Sequence, residues 1–284
     1  MSYLNRITAC NRWRAERFLP FVVGGSRLGW IRDDNADLLR RWPDCFSVLS
    51  DHIELHHKLQ GFEQRTEAMA EVISQLADSG LTRPQHGERF PVLESFGDDP
   101  LFEIDRSVIS LFGTHAFGQH LNGFVQTGGS ISLWIARRAP DRYAFPDKLD
   151  NIVAGGLPHG IGLNDNLIKE CAEEADMPPE LAEQAKPVGS VSYQCEGKLG
   201  VTVGTLFCYD LLLPAAFKPR CNDGEVAGFE LLPVEEVAEI VRETEQFKSN
   251  CNLVIIDFLI RHGFIGPQDE DYQMLKDRLN RGSV

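Results

Sequence analysis

The amino-acid sequence predicts an α+β protein in which a smaller α+β unit precedes a larger unit built on a mixed sheet. From Thr114 onward the predicted elements follow the order strands, helix, strands and helix, as in an α/β/α sandwich. The residues before this point carry hairpin, strand and helix patterns of their own. We therefore predict an N-terminal accessory domain at residues 1–106 and a second domain at residues 107–284, which a chain of 284 residues permits.

The N-terminal unit is predicted from short local patterns. The segment Phe18–Ile31 alternates between apolar and polar residues around a Gly-Gly turn at Gly24, which predicts a β-hairpin. The segment Phe46–His57 is typical of a strand. Apolar residues at helical spacing from Phe62 onward then predict a longer helix that ends near Gly80.

The second unit begins with two predicted strands and ends with helices. The strands cover residues 114–126 and 130–139 and are joined by a turn at Gly128 and Gly129. A glycine-rich loop and a short helix follow, and then a second predicted hairpin turns at Gly197. Further helices are predicted at Val234–Glu243, Asn250–Arg261 and Gln268–Leu279.

Composition argues against several classes of function. The chain has 28 Lys and Arg residues against 42 Asp and Glu residues, a formal net charge of −14. This acidic balance argues against a nucleic-acid partner and against binding to anionic membranes, but it leaves room for a phosphorylated small molecule. The 7 cysteines are widely spaced and contain no C-x-x-C pair, which indicates reduced thiols. Because the first residues contain no long apolar core, we expect a cytoplasmic protein.

A glycine-rich loop that runs into an acidic helix, from Gly155 to Met177, is the main candidate for a functional site. At about 100° per residue, Glu170, Glu173 and Glu174 occupy an arc of roughly 100° on one helix face. Like charges this close repel each other, so the cluster favours a bound cation. Carboxylates that converge in this way are the ligands that a hard ion such as Mg²⁺ prefers.

This stretch resembles the Nudix box of the Nudix hydrolase superfamily. The leading glycine is Gly155, and the resemblance includes the metal-binding carboxylates of the helix. The chain departs from the pattern at three places, with Ile161 for the loop glutamate, Lys169 for arginine and Asp176 for the late glycine. The resemblance implies a Nudix α/β/α sandwich with a mixed sheet, and Mg²⁺ (or Mn²⁺ in its place) as cofactor. The metal ligands that it implies are Glu170, Glu173, Glu174 and the carbonyl of Ala154.

A narrower resemblance covers most of the chain. Residues 10–31, 148–160, 169–178 and 223–237 are similar to the thiamine pyrophosphokinase-related Nudix group. Membership would imply an accessory domain in front of a Nudix domain. It would also imply Mg²⁺-dependent cleavage of thiamine diphosphate or of its damaged oxo and oxy analogues.

The candidate catalytic residues are Glu173 and Glu174 on the helix, and Glu225 just before a later strand. The resemblance gives Glu225 a role as a further metal ligand or as a general base, whereas its position alone fits an ordinary loop carboxylate equally well.

The candidate substrate-binding residues lie in and around the glycine loop. Gly155 and Gly156 permit close approach of the backbone to phosphate or metal. His159 lies within the loop, and Lys169 pairs with a neighbouring glutamate or contacts phosphate. Arg137 follows a strand and is a candidate phosphate ligand. Since neighbouring strand residues face opposite sides, at most one of Arg137 and Arg138 points inward.

These features predict an Mg²⁺-dependent pyrophosphohydrolase that converts a small organic diphosphate to a monophosphate and phosphate. We expect a small-molecule partner and, by analogy with the superfamily, a homodimer. Alternatives are hydrolysis of a nucleoside diphosphate derivative and an isopentenyl-diphosphate-isomerase-like reaction on the same fold. A non-catalytic diphosphate-binding regulatory module is a further alternative, which Ile161 in the place of the loop glutamate favours.

Overall fold

A computed structural model describes residues 2–279 and 281–282 of the chain. The helices are α1 Tyr3–Cys10, α2 Asp33–Leu39, α3 Gly61–Asp78, α4 Ile109–Phe112, α5 Leu163–Ala175, α6 Pro179–Ala182, α7 Val234–Glu243, α8 Cys251–Arg261 and α9 Tyr272–Arg278. The strands are β1 Phe18–Val23, β2 Ser26–Arg32, β3 Phe46–Val48, β4 Ile53–Leu55, β5 Arg89–Val92, β6 Phe102–Asp105, β7 His115–Thr127, β8 Ser130–Arg138, β9 Leu149–Asn151, β10 Val153–Gly156, β11 Lys186–Glu196, β12 Val201–Leu212, β13 Val226–Pro233 and β14 Arg281–Gly282.

The largest sheet is mixed and has helices on both faces. Its strands follow the order β13-β8-β7-β12-β11-β14, while β10 pairs with β7 and β9 pairs with β8. The long central strands β7 and β12 are parallel, whereas their other neighbours are antiparallel. One face packs against α1, α7, α8 and α9, and the other packs against α5 and α6. This arrangement confirms the predicted α+β class and the α/β/α sandwich.

The N-terminal residues build a second, smaller sheet in the order β2-β1-β4-β3. The helix α3, the hairpin β5–β6 and α4 join it around a separate apolar core. The hairpin predicted at Gly24 is confirmed. The prediction of one continuous strand over residues 46–57 was wrong, because the chain turns back at residues 49–52 and forms the antiparallel pair β3–β4.

The first helix belongs to the core of the large sheet rather than to the small one. Ile7, 1% exposed, packs among residues of α7, α8 and α9. The Arg6 side chain donates to the Val241 carbonyl oxygen at 2.8 Å. The domain boundary at residues 106 and 107 stays a prediction, and the path of α1 shows that residues on both sides of it share one core. None of the described helices has the length and apolar character needed to cross a membrane.

Candidate active site

The helix α5 is fixed on its apolar side and presents carboxylates on the adjacent side. Leu167, Cys171 and Ala175 are buried against the large sheet. The Asn166 side chain donates to the Gly156 carbonyl oxygen at 2.8 Å and to Gln119 Oε1 at 2.8 Å. These contacts lock the helix to the glycine loop, so the positions of the carboxylates relative to the loop are set by packing.

Glu174 is a buried carboxyl group with one backbone donor. The Ala154 N–H donates to Glu174 Oε2 at 2.8 Å, and the residue is 6% exposed. Burial raises the pKa of Glu174 to about 8, even though the Ala154 hydrogen bond acts in the opposite direction. A cation beside this group would remove the cost of ionising it there.

Glu170 lies directly against Gly155, which explains the need for glycine at this position. A Cβ atom placed on Gly155 would lie 2.4 Å from Glu170 Cδ. Burial raises the pKa of Glu170, and the nearby Lys169 opposes this shift. The glycine therefore makes room for the carboxylate at the start of the loop.

Glu173 and Lys169 form the more exposed edge of the cluster. Lys169 Nζ lies 2.8 Å from Glu173 Oε2 and 3.1 Å from Glu170 Oε1. Lys169 thus contacts its neighbouring glutamates, as one of its two predicted roles requires. A single lysine partly offsets three carboxylates, two of them buried, so this donor set fits a divalent cation held by Glu170, Glu173 and Glu174.

A cavity of about 530 Å³ lies beside this helix. Ala154, Gly155 and Gly156 form part of its wall, and of these Ala154 contacts Glu174 and Gly155 lies against Glu170. Its lining carries more cations than carboxylates, although the chain as a whole is acidic. The cationic residues are Arg83, Arg106, Arg138, Arg142 and Lys248, and the acidic residues are Asp141, Asp223 and Glu225.

A buried network supports two of those cations. Arg138 Nη1 lies 3.1 Å and Lys248 Nζ 3.2 Å from Asp150 Oδ2, and Asp150 is 3% exposed. Burial alone would raise the pKa of Asp150, but Lys248, His120 and Arg138 outweigh it and lower the pKa. Asp150 therefore holds both cations in place at the cavity wall.

His120, Asp150 and Cys251 lie close enough together to suggest a metal site, with ligand atoms within 4.8 Å of one another. Their surroundings argue against it. Asp150 is already paired with two cations, and His120 Nδ1 lies 2.8 Å from Asn151 Oδ1. The cluster is better explained as a structural group in which Asp150 positions Arg138 and Lys248.

Glu225 lines the same cavity. Its Oε2 lies 2.6 Å from Arg142 Nη2, and the side chain is partly exposed. This pairing leaves the other carboxylate oxygen free of a strong ionic contact among the described residues. Glu225 therefore lines the same cavity as Ala154, Gly155 and Gly156.

Two predicted substrate ligands lie away from the cavity. Arg137 contacts Asp147 and Glu230, and its neighbour Arg138 is the one that faces the cavity. His159 Nδ1 lies 2.7 Å from Glu103 Oε2, so His159 ties the glycine loop to β6 of the N-terminal unit. The geometry therefore does not support Arg137 or His159 as direct substrate ligands.

Several cavity residues were missed because they are distant in sequence. Arg83 and Arg106 belong to the unit predicted to be accessory. Lys248 lies just before a helix whose mainly apolar sequence predicts only a buried structural role. A local signal existed for Asp150, an acid between apolar residues 149 and 152–153 in the segment that leads into the glycine loop. Nothing in local spacing indicates that these groups converge.

Two plant proteins are similar to the chain over nearly its whole length. Nudix hydrolase 24, chloroplastic, of Arabidopsis thaliana is 42% identical over 284 residues, which is 99% of this chain and 78% of that protein. Nudix hydrolase 20, chloroplastic, of the same plant is 40% identical, over 98% of this chain and 77% of that protein. A family model described as a domain of unknown function, DUF4743, matches residues 2–116. Among solved structures, a C. elegans Ap4A hydrolase binary complex aligns with a TM-score of 0.39 at 14% identity, covering 53% of this chain and 99% of that one.

Proposed function

The chain belongs to the Nudix hydrolase family, and from this premise we propose that it is a pyrophosphohydrolase that cleaves the diphosphate of a small organic molecule to a monophosphate and phosphate. It is a Nudix-type hydrolase acting on acid anhydrides. The observation that carries the substrate proposal is the excess of cationic side chains around the cavity. The wall of this cavity includes Ala154 and Gly155, which contact the carboxylates of α5, called the carboxylate helix below. A diphosphate carries the charge that such a lining favours.

Nudix hydrolases use divalent metal ions, and we propose Mg²⁺ here, with Mn²⁺ as a substitute. Glu170, Glu173 and Glu174 would hold the ion, with the Ala154 carbonyl as a further ligand. The ion would supply positive charge to the phosphoryl oxygens. The buried, weakly partnered carboxyl group of Glu174 supports this assignment.

We assign the remaining chemistry to residues of the cavity wall. Arg138 and Lys248, both fixed by Asp150, orient the phosphates. Arg142 holds Glu225 through one carboxylate oxygen, and the other oxygen accepts a proton from the attacking water. Water then forms a new bond to one phosphorus as the bridging P–O bond breaks. Gly155 and Gly156 keep the loop thin enough for phosphate and carboxylate to approach each other.

We propose thiamine diphosphate or its damaged oxo and oxy analogues as the substrate, in keeping with the narrower resemblance. The cavity lining also contains the aromatic residues Tyr143 and Phe145 and the acids Asp141 and Asp223, which suit a cationic aromatic ring. The cationic residues of the lining would take the diphosphate. A homodimer and a cytoplasmic location also stay predictions, and the two Arabidopsis relatives are chloroplastic by name.

The test is phosphate release with Mg²⁺ from a panel of thiamine diphosphate, its oxo and oxy analogues, ADP-ribose, NADH and 8-oxo-dGTP. We expect Glu174→Gln to reduce kcat/KM by roughly 10²-fold or more, about 2.7 kcal/mol, because a carboxylate that serves the reacting phosphates is lost. The exposed Glu183→Gln is the matched control and should retain wild-type rates.

Two outcomes would contradict the proposal at different levels. A clear preference for a nucleotide would discard the thiamine substrates and keep the reaction class. Tight binding without turnover of any compound would instead point to a diphosphate-binding regulatory module.

A further inference from the structure

The N-terminal unit contributes side chains to the cavity as well as packing against the large sheet. Arg83 and His86 precede β5, and Arg106 follows β6, and all three line the cavity. The family model that matches this part of the chain carries no function in its description. The placement of these residues suggests what the unit does.

The Phe90 ring lies between Arg106 and the glycine loop that precedes the carboxylate helix. Its guanidinium group is 5.9 Å from the centroid of the Phe90 ring. That ring in turn packs on Gly156, where an added Cβ would lie 2.7 Å from Phe90 Cζ. Glu88 Oε2 holds Arg106 Nη1 at 2.7 Å, which fixes the direction of the side chain. Arg106 is thus positioned beside the loop that covers Glu170.

Arg83 forms no hydrogen bond or ion pair with the described residues, and Asp105 acts on its charge only from a longer distance. Its guanidinium group lies 4.6 Å from the Tyr143 ring centroid. The side chain is half-buried at the cavity wall. A guanidinium group offers five N–H donors, and at this half-exposed position an anion can replace water as their acceptor. The arrangement therefore suits an anionic ligand in the cavity.

The cavity lining also carries Arg138 and Lys248, each already paired with Asp150. An anion in the cavity would therefore meet these two paired cations as well as Arg83 and Arg106. A diphosphate has enough non-bridging oxygens to contact several cations at once, and arginine suits them because its N–H groups form a planar fork.

We propose that Arg83 and Arg106 bind the diphosphate of the substrate, so that the N-terminal unit forms part of the substrate site. This inference rests on the proposed function, since it takes a diphosphate as the ligand. It also gives the unit a role in affinity: the large sheet provides the carboxylate helix, and the N-terminal unit provides part of the phosphate site.

The experiment measures binding of methylenediphosphonate, which cannot be hydrolysed at its P–C–P bridge, to the full chain by calorimetry with Mg²⁺ present. We expect Arg83→Gln and Arg106→Gln each to raise Kd roughly tenfold or more, because each loses charged hydrogen bonds to the ligand. Arg83→Lys and Arg106→Lys should recover part of the affinity, since they keep the charge. Arg40→Gln is the matched control, because Arg40 pairs with Asp37 on the surface, away from the cavity.

Thermal unfolding of each variant separates loss of binding from loss of folding, and the lysine variants serve where a glutamine variant is unstable. A Kd for the folded Arg83→Gln or Arg106→Gln variant within about twofold of wild type would overturn the role of that arginine. A wild-type chain that does not bind the probe would overturn the whole inference.

Hydrolysis measured in parallel keeps the two proposals distinct. Arginine-dependent binding without turnover would refute the proposed reaction and support this inference. Turnover that is unchanged in both glutamine variants would refute this inference and leave the reaction in place.

Discussion

At the scale of single residues, the positions of two of the three carboxylates depend on the main chain of the glycine loop. Glu170 occupies the space that a Cβ of residue 155 would fill, and Glu174 accepts its hydrogen bond from the backbone of Ala154. The acidic side chains provide the chemistry, while the glycine loop determines where they lie. Substitutions in the loop should therefore affect metal binding as strongly as substitutions of the glutamates.

Gly155→Ala tests this dependence. Its methyl group would lie 2.4 Å from Glu170 Cδ, so the carboxylate must move. A displacement of this kind near reacting groups costs about 10²-fold in rate, and we expect that loss together with weaker Mg²⁺ affinity. Hydrolysis rates over a series of Mg²⁺ concentrations provide the measurement.

Gly162→Ala is the control for that substitution. Nothing lies within 4 Å of a Cβ at residue 162, and its φ of −78° suits any residue. Rates for Gly162→Ala should stay near wild type. An equal loss of rate in the two variants would show that the loop tolerates alanine at neither position. The contact between Gly155 and Glu170 would then not be the cause of the slower hydrolysis by Gly155→Ala.

The residue that follows α5 shows how a departure from the family pattern is accommodated. Asp176 takes the left-handed conformation, with φ of 51°, where the Nudix pattern has glycine. Arg220 Nη2 lies 2.7 Å from Asp176 Oδ2, and Asn222 donates to Oδ1 at 3.1 Å. These contacts help to offset the cost of the left-handed backbone at a residue other than glycine.

At the scale of secondary-structure elements, a buried carboxylate ties β12 to α8. Asp210 accepts from Arg261 Nη2 at 3.0 Å and lies 2.9 Å from His262 Nε2. Burial alone would raise the pKa of Asp210, but the hydrogen bonds from His262 and Arg261 outweigh burial and hold the pKa below its ordinary value of 3.8. The ionised carboxylate therefore stabilises the contact between the strand and the helix.

Asp210→Asn should lower the free energy of unfolding by about 2 kcal/mol at neutral pH, because it removes charged hydrogen bonds from Arg261 and leaves Arg261 with Asp257 as its ionic partner. A lowered native pKa adds stability above the unfolded pKa, and this stability is lost as pH falls through the native value. The difference between wild type and Asp210→Asn should thus be full at pH 6 and shrink below about pH 4. Urea unfolding across this range gives the measurement, and a difference that does not change with pH would refute the ionic explanation.

At the scale of the whole molecule, the chain crosses between its two cores more often than a simple division into two domains suggests. The helix α1 lies on the C-terminal helices, and His159 in the loop before α5 contacts Glu103 in β6. The cavity is lined from both sides of residue 106. The candidate site is therefore assembled by the packing of the two units.

Ile7→Ala tests the contribution of α1 to the larger core. Ile7 is 1% exposed among residues of α7, α8 and α9, so its truncation leaves a cavity in that core. We expect a loss of about 2–4 kcal/mol in the free energy of unfolding, measured with denaturant. Asn5→Ala, on the exposed side of the same helix, should change stability by less than about 0.5 kcal/mol. A loss for Ile7→Ala no larger than for Asn5→Ala would mean that α1 adds little to this core.

The sequence by itself determined the features that depend on local periodicity and on contiguous motifs. Helical spacing placed Glu170, Glu173 and Glu174 on one face, and the glycine-rich approach to that face identified the family. The alternation of strands and helices gave the α+β class. Local turn chemistry found the hairpins at Gly24 and Gly197, but it failed at residues 46–57, where β3 and β4 are too short for alternation to separate them.

The tertiary structure decided which distant groups share the cavity. Side-chain alternation reduced Arg137 and Arg138 to one inward residue, and the fold of β8 selected Arg138. The pairing of Asp150 with Lys248 joins positions 98 residues apart, and Arg83 and Arg106 reach the cavity from a separate sheet. Periodicity reports only the direction of a side chain relative to its own element. Which elements face each other is set by burial of their apolar surfaces over the whole chain, and that is why the carboxylate helix was predictable and its surroundings were not.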